Sequence, residues 1–163
     1  MSDTTAVLSR ESVTGIVWFD ALRQQLARFP MSIIQLAGRI GVGAVFFKAG
    51  LLKYNSFEFA VLLFRDEYKV PFLDPAVAAR MAMVQELTLP IFLFLGLATR
   101  LATLPLLGMI AVIQTFVYPN AYNDHLVWGS ILVLVLTRGP GVFSLDYLIE
   151  RAVVSRRRSV KRA

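Results

Sequence analysis

A chain of 163 residues with 56% hydrophobic and only 17% charged residues falls well short of the roughly one-quarter charge of a soluble domain, and has room for one unit of four long helices. It has no cysteine and one histidine, which excludes a disulfide, a thiolate metal site and bis-histidine haem ligation within the chain, and argues against any metal centre. The net charge of +6 collects at the ends of apolar runs and is not interleaved with aromatics, a pattern of membrane topology and not of nucleic-acid binding.

The first 30 residues contain Asp3, Glu11 and Asp20 and no unbroken apolar core, so they do not read as a secretory signal peptide. Within them, "WFDALRQQLARF" places Trp18, Phe19, Leu22, Leu26 and Phe29 on one face and Asp20, Arg23, Gln24 and Arg28 on the other, as in a helix lying in a membrane interface. Residues 1–31 form a cytoplasmic amphipathic segment on this reading. Residues 33–52 are apolar apart from Gln35, Arg39 and Lys48, and reach about 30 Å at 1.5 Å per residue, enough for a first span. "SFEFAVLLF" is too short to cross and is expected to pack as an interfacial or re-entrant element. Residues 76–98 and 101–118 give the second and third spans, joined so tightly at "TR" that they must form an antiparallel hairpin with Gly96 near the turn. The apolar run Leu126 to Leu136 becomes a fourth span only if its helix begins near Tyr122.

After the four-span domain of residues 32–138, "GPG" breaks the helix and Ser144 is a natural N-cap. Leu145, Leu148, Ile149, Ala152 and Val153 then recur at helical spacing. Residues 139–163 thus read as an interfacial helix with a basic tail, "SRRRSVKRA", whose cations each gain about 1 kcal/mol near anionic headgroups. The fold class is all-α: a four-helix transmembrane bundle with flanking amphipathic interfacial helices and membrane lipids as its first partners. Arg10, Arg23, Arg28, Arg100, Arg138, Arg151, Arg156, Arg157, Arg158, Lys161 and Arg162 fall on one side. Lys53, Arg65 and Lys69 on the other are offset by Glu58, Asp66, Glu67 and Asp74, so both termini are expected in the cytoplasm.

Counted from the inner boundary, Arg39 lies about 9 Å deep, Lys48 about 22 Å, Glu86 about 18 Å and Gln114 about 20 Å, with Lys53 at the outer surface. A charge at mid-bilayer costs about 2.5–3.5 kcal/mol, so Glu86 should face the bundle and find a partner. Lys48 is the expected partner, because helical side chains lean toward their own N-termini and the two would lean together on antiparallel helices. Pro90 leaves the Glu86 carbonyl without its helical donor, and Gln114 is expected to supply one. The same residues fit a neutral Glu86 that joins helices without chemistry. Arg39, Gly43, Phe46, Gly50 and Lys53 draw a seam for close helix approach, Lys48 lies on the opposite face, and Arg39 is expected to reach the inner headgroups. The outer mouth gathers Lys53, Tyr118, Tyr122, His125 and Trp128, of which the aromatics fit an interface belt and His125 a cap or a proton shuttle.

The order of "FFKAGLLK", Val70-Pro71, Glu86, "GLATR" and "GPGVFSLDYLI" resembles the DoxX family of small bacterial and archaeal four-span membrane proteins, over roughly residues 33–150. Leu87, Thr88 and Pro90 stand where the family often has small glycines. The resemblance implies a cytoplasmic (inner) membrane subunit, some members being linked to thiosulfate oxidation with electrons passed to quinone and others to oxidative-stress complexes. Arg39, Lys53 and Glu86 carry over as characteristic positions and none as a catalytic residue. The expected function is a membrane subunit or accessory of an oxidoreductase system, with an oxidoreductase as protein partner and no covalent cofactor. The alternatives are a quinone-binding oxidoreductase subunit, in which Glu86 or His125 handles protons and Lys48 or Arg39 steadies a reduced ring, and a small solute transporter coupled through a Lys/Glu pair.

Overall fold

The computed structural model describes residues 18–160. Arg10, Lys161, Arg162, the signal-peptide reading and the side chains of Arg156 and Arg158 lie outside the described residues. Contacts divide the chain after Met31. The first part contains helix α1, residues 18–27, where Asp20 and Arg23 approach to 3.8 Å one turn apart and Trp18, Phe19, Leu22 and Leu26 are exposed. The amphipathic pattern therefore does form a helix.

The second part is helical throughout its ordered elements. In chain order it has α2 (Met31–Asn55), α3 (Phe57–Leu63) running into a π turn (Phe64–Tyr68), α4 (Pro75–Leu95), α5 (Thr99–Val112) running into a second π turn (Ile113–Val117), α6 (Tyr122–Arg138) and α7 (Leu145–Val160). Among the described residues three stretches are long and apolar enough to cross a bilayer: Met31–Asn55, Pro75–Leu95 and Thr99–Val117. With 17 residues, α6 falls just below that length.

Local chemistry sets the ends of these helices. Asp74 accepts hydrogen bonds from the Ala76 and Val77 amides at 2.9 and 3.2 Å, with Pro75 preset for the first turn of α4. At its other end Gly96 takes φ +65°, and the Leu97 amide bonds back to the Phe92 carbonyl, so the helix stops at Leu95 and not at 98. The chain reverses within three residues into α5, as the expected hairpin requires.

One apolar core joins four helices. Val42 and Phe46 of α2, Leu93 of α4, Leu106 and Ile110 of α5, and Leu132 of α6 are all buried in it. A smaller cluster packs Phe64 of the first π turn on Ala78 and Ala79 of α4, so the short α3 segment lies against the first turns of α4. The seam on α2 is used for close approach: a Cβ on Gly50 would lie 2.9 Å from the Glu86 Cβ, and one on Gly43 would run into the Phe94 ring. These contacts fix the register of α2 on α4.

Candidate functional site

Polar side chains inside the bundle gather at two levels. At the level where α4 turns into α5, Arg39 is 1% exposed and does not reach outward to headgroups as expected. Its guanidinium donates to the Leu93 carbonyl at 3.2 Å and the Phe143 carbonyl at 2.6 Å, because the 139–144 segment folds back onto α2 and offers acceptors closer than the lipid surface. Gln35, one turn earlier, donates to the Gly139 carbonyl at 3.1 Å, and Ser32 Oγ accepts from the Val142 amide at 3.3 Å. A Cβ on Gly96 would occupy the place of the Arg39 guanidinium, so the glycine makes room for the cation as well as turning the chain.

Asp146 ties the same end together from the other side. Its carboxylate accepts from the Ala98 amide at 2.7 Å and from the Thr99 amide and hydroxyl, both at 2.9 Å, and so caps α5 from a segment far away in sequence. Ser144 caps α7 as expected, its Oγ accepting from the Tyr147 amide at 3.2 Å. "GLATR" and "GPGVFSLDYLI" are thus two halves of one hydrogen-bonded junction. Asp146→Ala is expected to cost about 1–2 kcal/mol, the range of a lost N-cap, with Asp146→Asn retaining part of it. Thermal denaturation of the three proteins in one detergent checks the order.

The other level, near the end of α2, holds the charge pair. Glu86 is 3% exposed and accepts from Lys53 Nζ through both oxygens, at 2.7 and 2.8 Å. Lys53, not Lys48, is therefore its partner. With Gly50 set against Glu86, the acid leans along α4 toward the level of Lys53, while Lys48 leans the opposite way from the opposite face of α2. Lys48 is exposed, and no ion pair involves it among the described residues. Nor does Lys53 simply mark a surface, since its ammonium is drawn inward.

Beside this pair the two π turns bring Tyr68 and Tyr118 into edge contact, ring centroids 5.6 Å apart and hydroxyls at 3.1 Å. Tyr118 donates to Glu67 at 3.4 Å. Each hydroxyl has one proton, so Tyr68 donates to Tyr118, giving a directed chain that ends on an exposed carboxylate. Burial first, and then the Tyr118 hydrogen bond, push the Tyr68 hydroxyl well above its ordinary range, so it stays a donor at physiological pH.

Gln114 does not serve the Glu86 carbonyl. It donates to the Pro119 carbonyl at 2.8 Å, an acceptor only five residues away, and meets His125 Nδ1 at 2.6 Å. The Pro119 carbonyl fixes which end of the amide is NH2, so Gln114 Oε1 faces the histidine and Nδ1 must carry the proton. Nε2 of His125 is then an acceptor in the neutral ring, and it makes no hydrogen bond among the described residues. His125 is 5% exposed and sits edge-on to Trp128, which in turn packs on Phe46. Tyr122 is exposed and joins none of this. Among the described residues no cluster of His, Asp or Glu is placed to hold a metal ion.

The reading of the sequence identified Glu86, Lys53, Arg39, Tyr118 and His125 but passed over Tyr68, Glu67, Gln35 and Asp146. Asp146 left a faint signal, an acid in the first turn of a helix that starts after a tight break. Tyr68 left none, because its placement depends on a π turn.

Helices this long and apolar, with their polar groups bonded inward, define a multi-pass membrane protein. The sequence model of the DoxX family matches residues 34–119. A protein of Haemophilus influenzae described as uncharacterized is 32% identical over 116 residues, which cover 65% of this chain and 76% of the relative. The chain belongs to the DoxX family. No solved structure matches it.

Proposed function

We propose that the chain is a four-span protein of the bacterial or archaeal cytoplasmic membrane, with both termini in the cytoplasm, that serves an oxidoreductase system as its membrane subunit. α6 becomes the fourth span at roughly 26 Å, a small mismatch that a bilayer absorbs by thinning. Arg100, Arg138 and Arg151 then flank the cytoplasmic side and the Lys53–Glu86 pair lies toward the outer one. The observation that carries the reading is this buried pair beside the Tyr68–Tyr118–Glu67 hydroxyl chain. A carboxylate inside the bundle, paired with a cation and next to hydroxyl donors, supports the reading because such groups can pass the protons that accompany electron transfer.

Membrane vesicles from cells with and without the chain test it, with quinone reduction by thiosulfate as the rate measured. A chain-dependent rate, restored by the wild type and lost in Lys53→Met/Glu86→Met, is the expected result. Equal rates with and without the chain would end the proposal. A second reading, that the chain itself binds quinone, is favoured by the open Nε2 of His125, an acceptor for a hydroquinone hydroxyl. Saturable binding of a water-soluble quinone by the purified chain in lipid, abolished by His125→Phe, would select it.

A further inference from the structure

Opposite the seam that packs on α4, one face of α2 is bare. Ala37, Gly41, Ala44, Lys48 and Leu52 share that face at helical spacing, and all are exposed. A Cβ on Gly41 would meet nothing within 4 Å. The other two cations of α2 are engaged within the bundle, Arg39 by carbonyls and Lys53 by Glu86, whereas Lys48 faces away from it. Lys48 lies about 10 Å along the axis from the end of α2, and its stem leans deeper still, toward Ala44. A cation held there against acyl tails is costly, and intramembrane cations find carboxylates where they can.

Among the described residues the long helices offer no free carboxylate at that depth. Glu86 is the one acid within α2, α4 and α5, and it is taken by Lys53; Asp124 sits in the first turn of α6. A second copy docked symmetrically on the same face would set Lys48 against Lys48. The occupant is therefore a different chain.

We propose that this face docks a transmembrane helix of another protein that carries an Asp or Glu at the depth of Lys48 and packs over Ala37, Gly41 and Ala44. The proposal rests on the membrane-subunit part of the function proposed above and uses none of its quinone chemistry, so its test involves no redox assay. The chain has no cysteine, so Asn120→Cys provides a unique site for a donor dye away from the face. The probe is a leucine-based transmembrane peptide with a Gly-xxx-Ala seam, an acceptor dye and one Glu seven residues from its outer end, mixed with the chain in phosphatidylcholine vesicles.

Energy transfer is expected to report roughly fivefold tighter association for the Glu peptide than for its Gln twin, in line with a single interhelical polar contact. That preference should vanish in Lys48→Met, and Lys48→Glu should transfer it to a peptide bearing Lys. Equal association of the Glu and Gln peptides, the result if Lys48 only snorkels to headgroups, overturns the proposal. So does a Glu preference that survives Lys48→Met, or transfer between copies of the chain that depends on Lys48.

Discussion

Lys53→Met and Glu86→Met, made singly, are each expected to lower the free energy of unfolding by about 3–5 kcal/mol, whereas the two together stay within about 1 kcal/mol of the wild type. Each single change strands a charge in a site where the partner was its only strong ligand: side-chain exposure is 19% for Lys53 and 5% for Glu86. Removing both replaces an ion pair by two apolar side chains of similar length, which a low-dielectric interior accepts readily. Titration with a denaturing detergent, followed by Trp128 fluorescence in a Trp18→Phe background, gives the cycle. Trp128 packs on the core residue Phe46, so its emission reports the bundle. Additive losses in the double variant would show that the two side chains are not coupled.

The second large effect is expected at the other end of the bundle. Arg39→Met removes two charge-assisted hydrogen bonds, leaving the Phe143 carbonyl without this donor and the Leu93 carbonyl with the Gly96 amide alone, for a loss of about 3 kcal/mol. Arg39→Lys recovers only part, because one ammonium on a flexible stem does not reproduce a planar fork reaching two carbonyls on different segments. Gly96→Ala is expected to be costly as well: at φ +65° a side chain is strained by about 1–2 kcal/mol, and the added Cβ takes the guanidinium's space. In the Arg39→Met background the same Gly96→Ala change should cost less, since the clash with the guanidinium is gone while the backbone strain and the Ser144 contact remain. The same detergent titration measures all four proteins. An unchanged cost of Gly96→Ala would mean that the glycine serves the turn alone.

Helix spacing revealed which face of α2 packs. Arg39, Gly43, Phe46, Gly50 and Lys53 do form the seam against α4, because a glycine every second turn leaves the same trace in sequence and in structure. What spacing did not supply was the relative height of the helices. A ruler started at each span's own boundary put Glu86 level with Lys48, but the first turns of α4 run on beside α3, and the real register is set by Gly50 meeting Glu86. Side chains lean toward their own N-termini, and on these antiparallel helices that lean brings Lys53, not Lys48, to Glu86. Arg39 differs for another reason: backbone carbonyls are invisible in side-chain chemistry, yet those of Leu93 and Phe143 are what the guanidinium binds. Gln114 was drawn to a carbonyl of its own loop, as polar side chains near helix ends commonly are. The π turns that join Tyr68 to Tyr118 have no compositional signature at all.

The strap between Arg39 and Phe143 joins residues more than a hundred positions apart. During synthesis Phe143 leaves the ribosome only after α2 to α6 have left it. Until then the guanidinium on the first of these helices has the Leu93 carbonyl of α4 as its acceptor at that site and lacks the second one. The 139–144 segment therefore completes the junction late, and a nascent chain halted before residue 143 would hold α2 with one of its two carbonyl anchors missing.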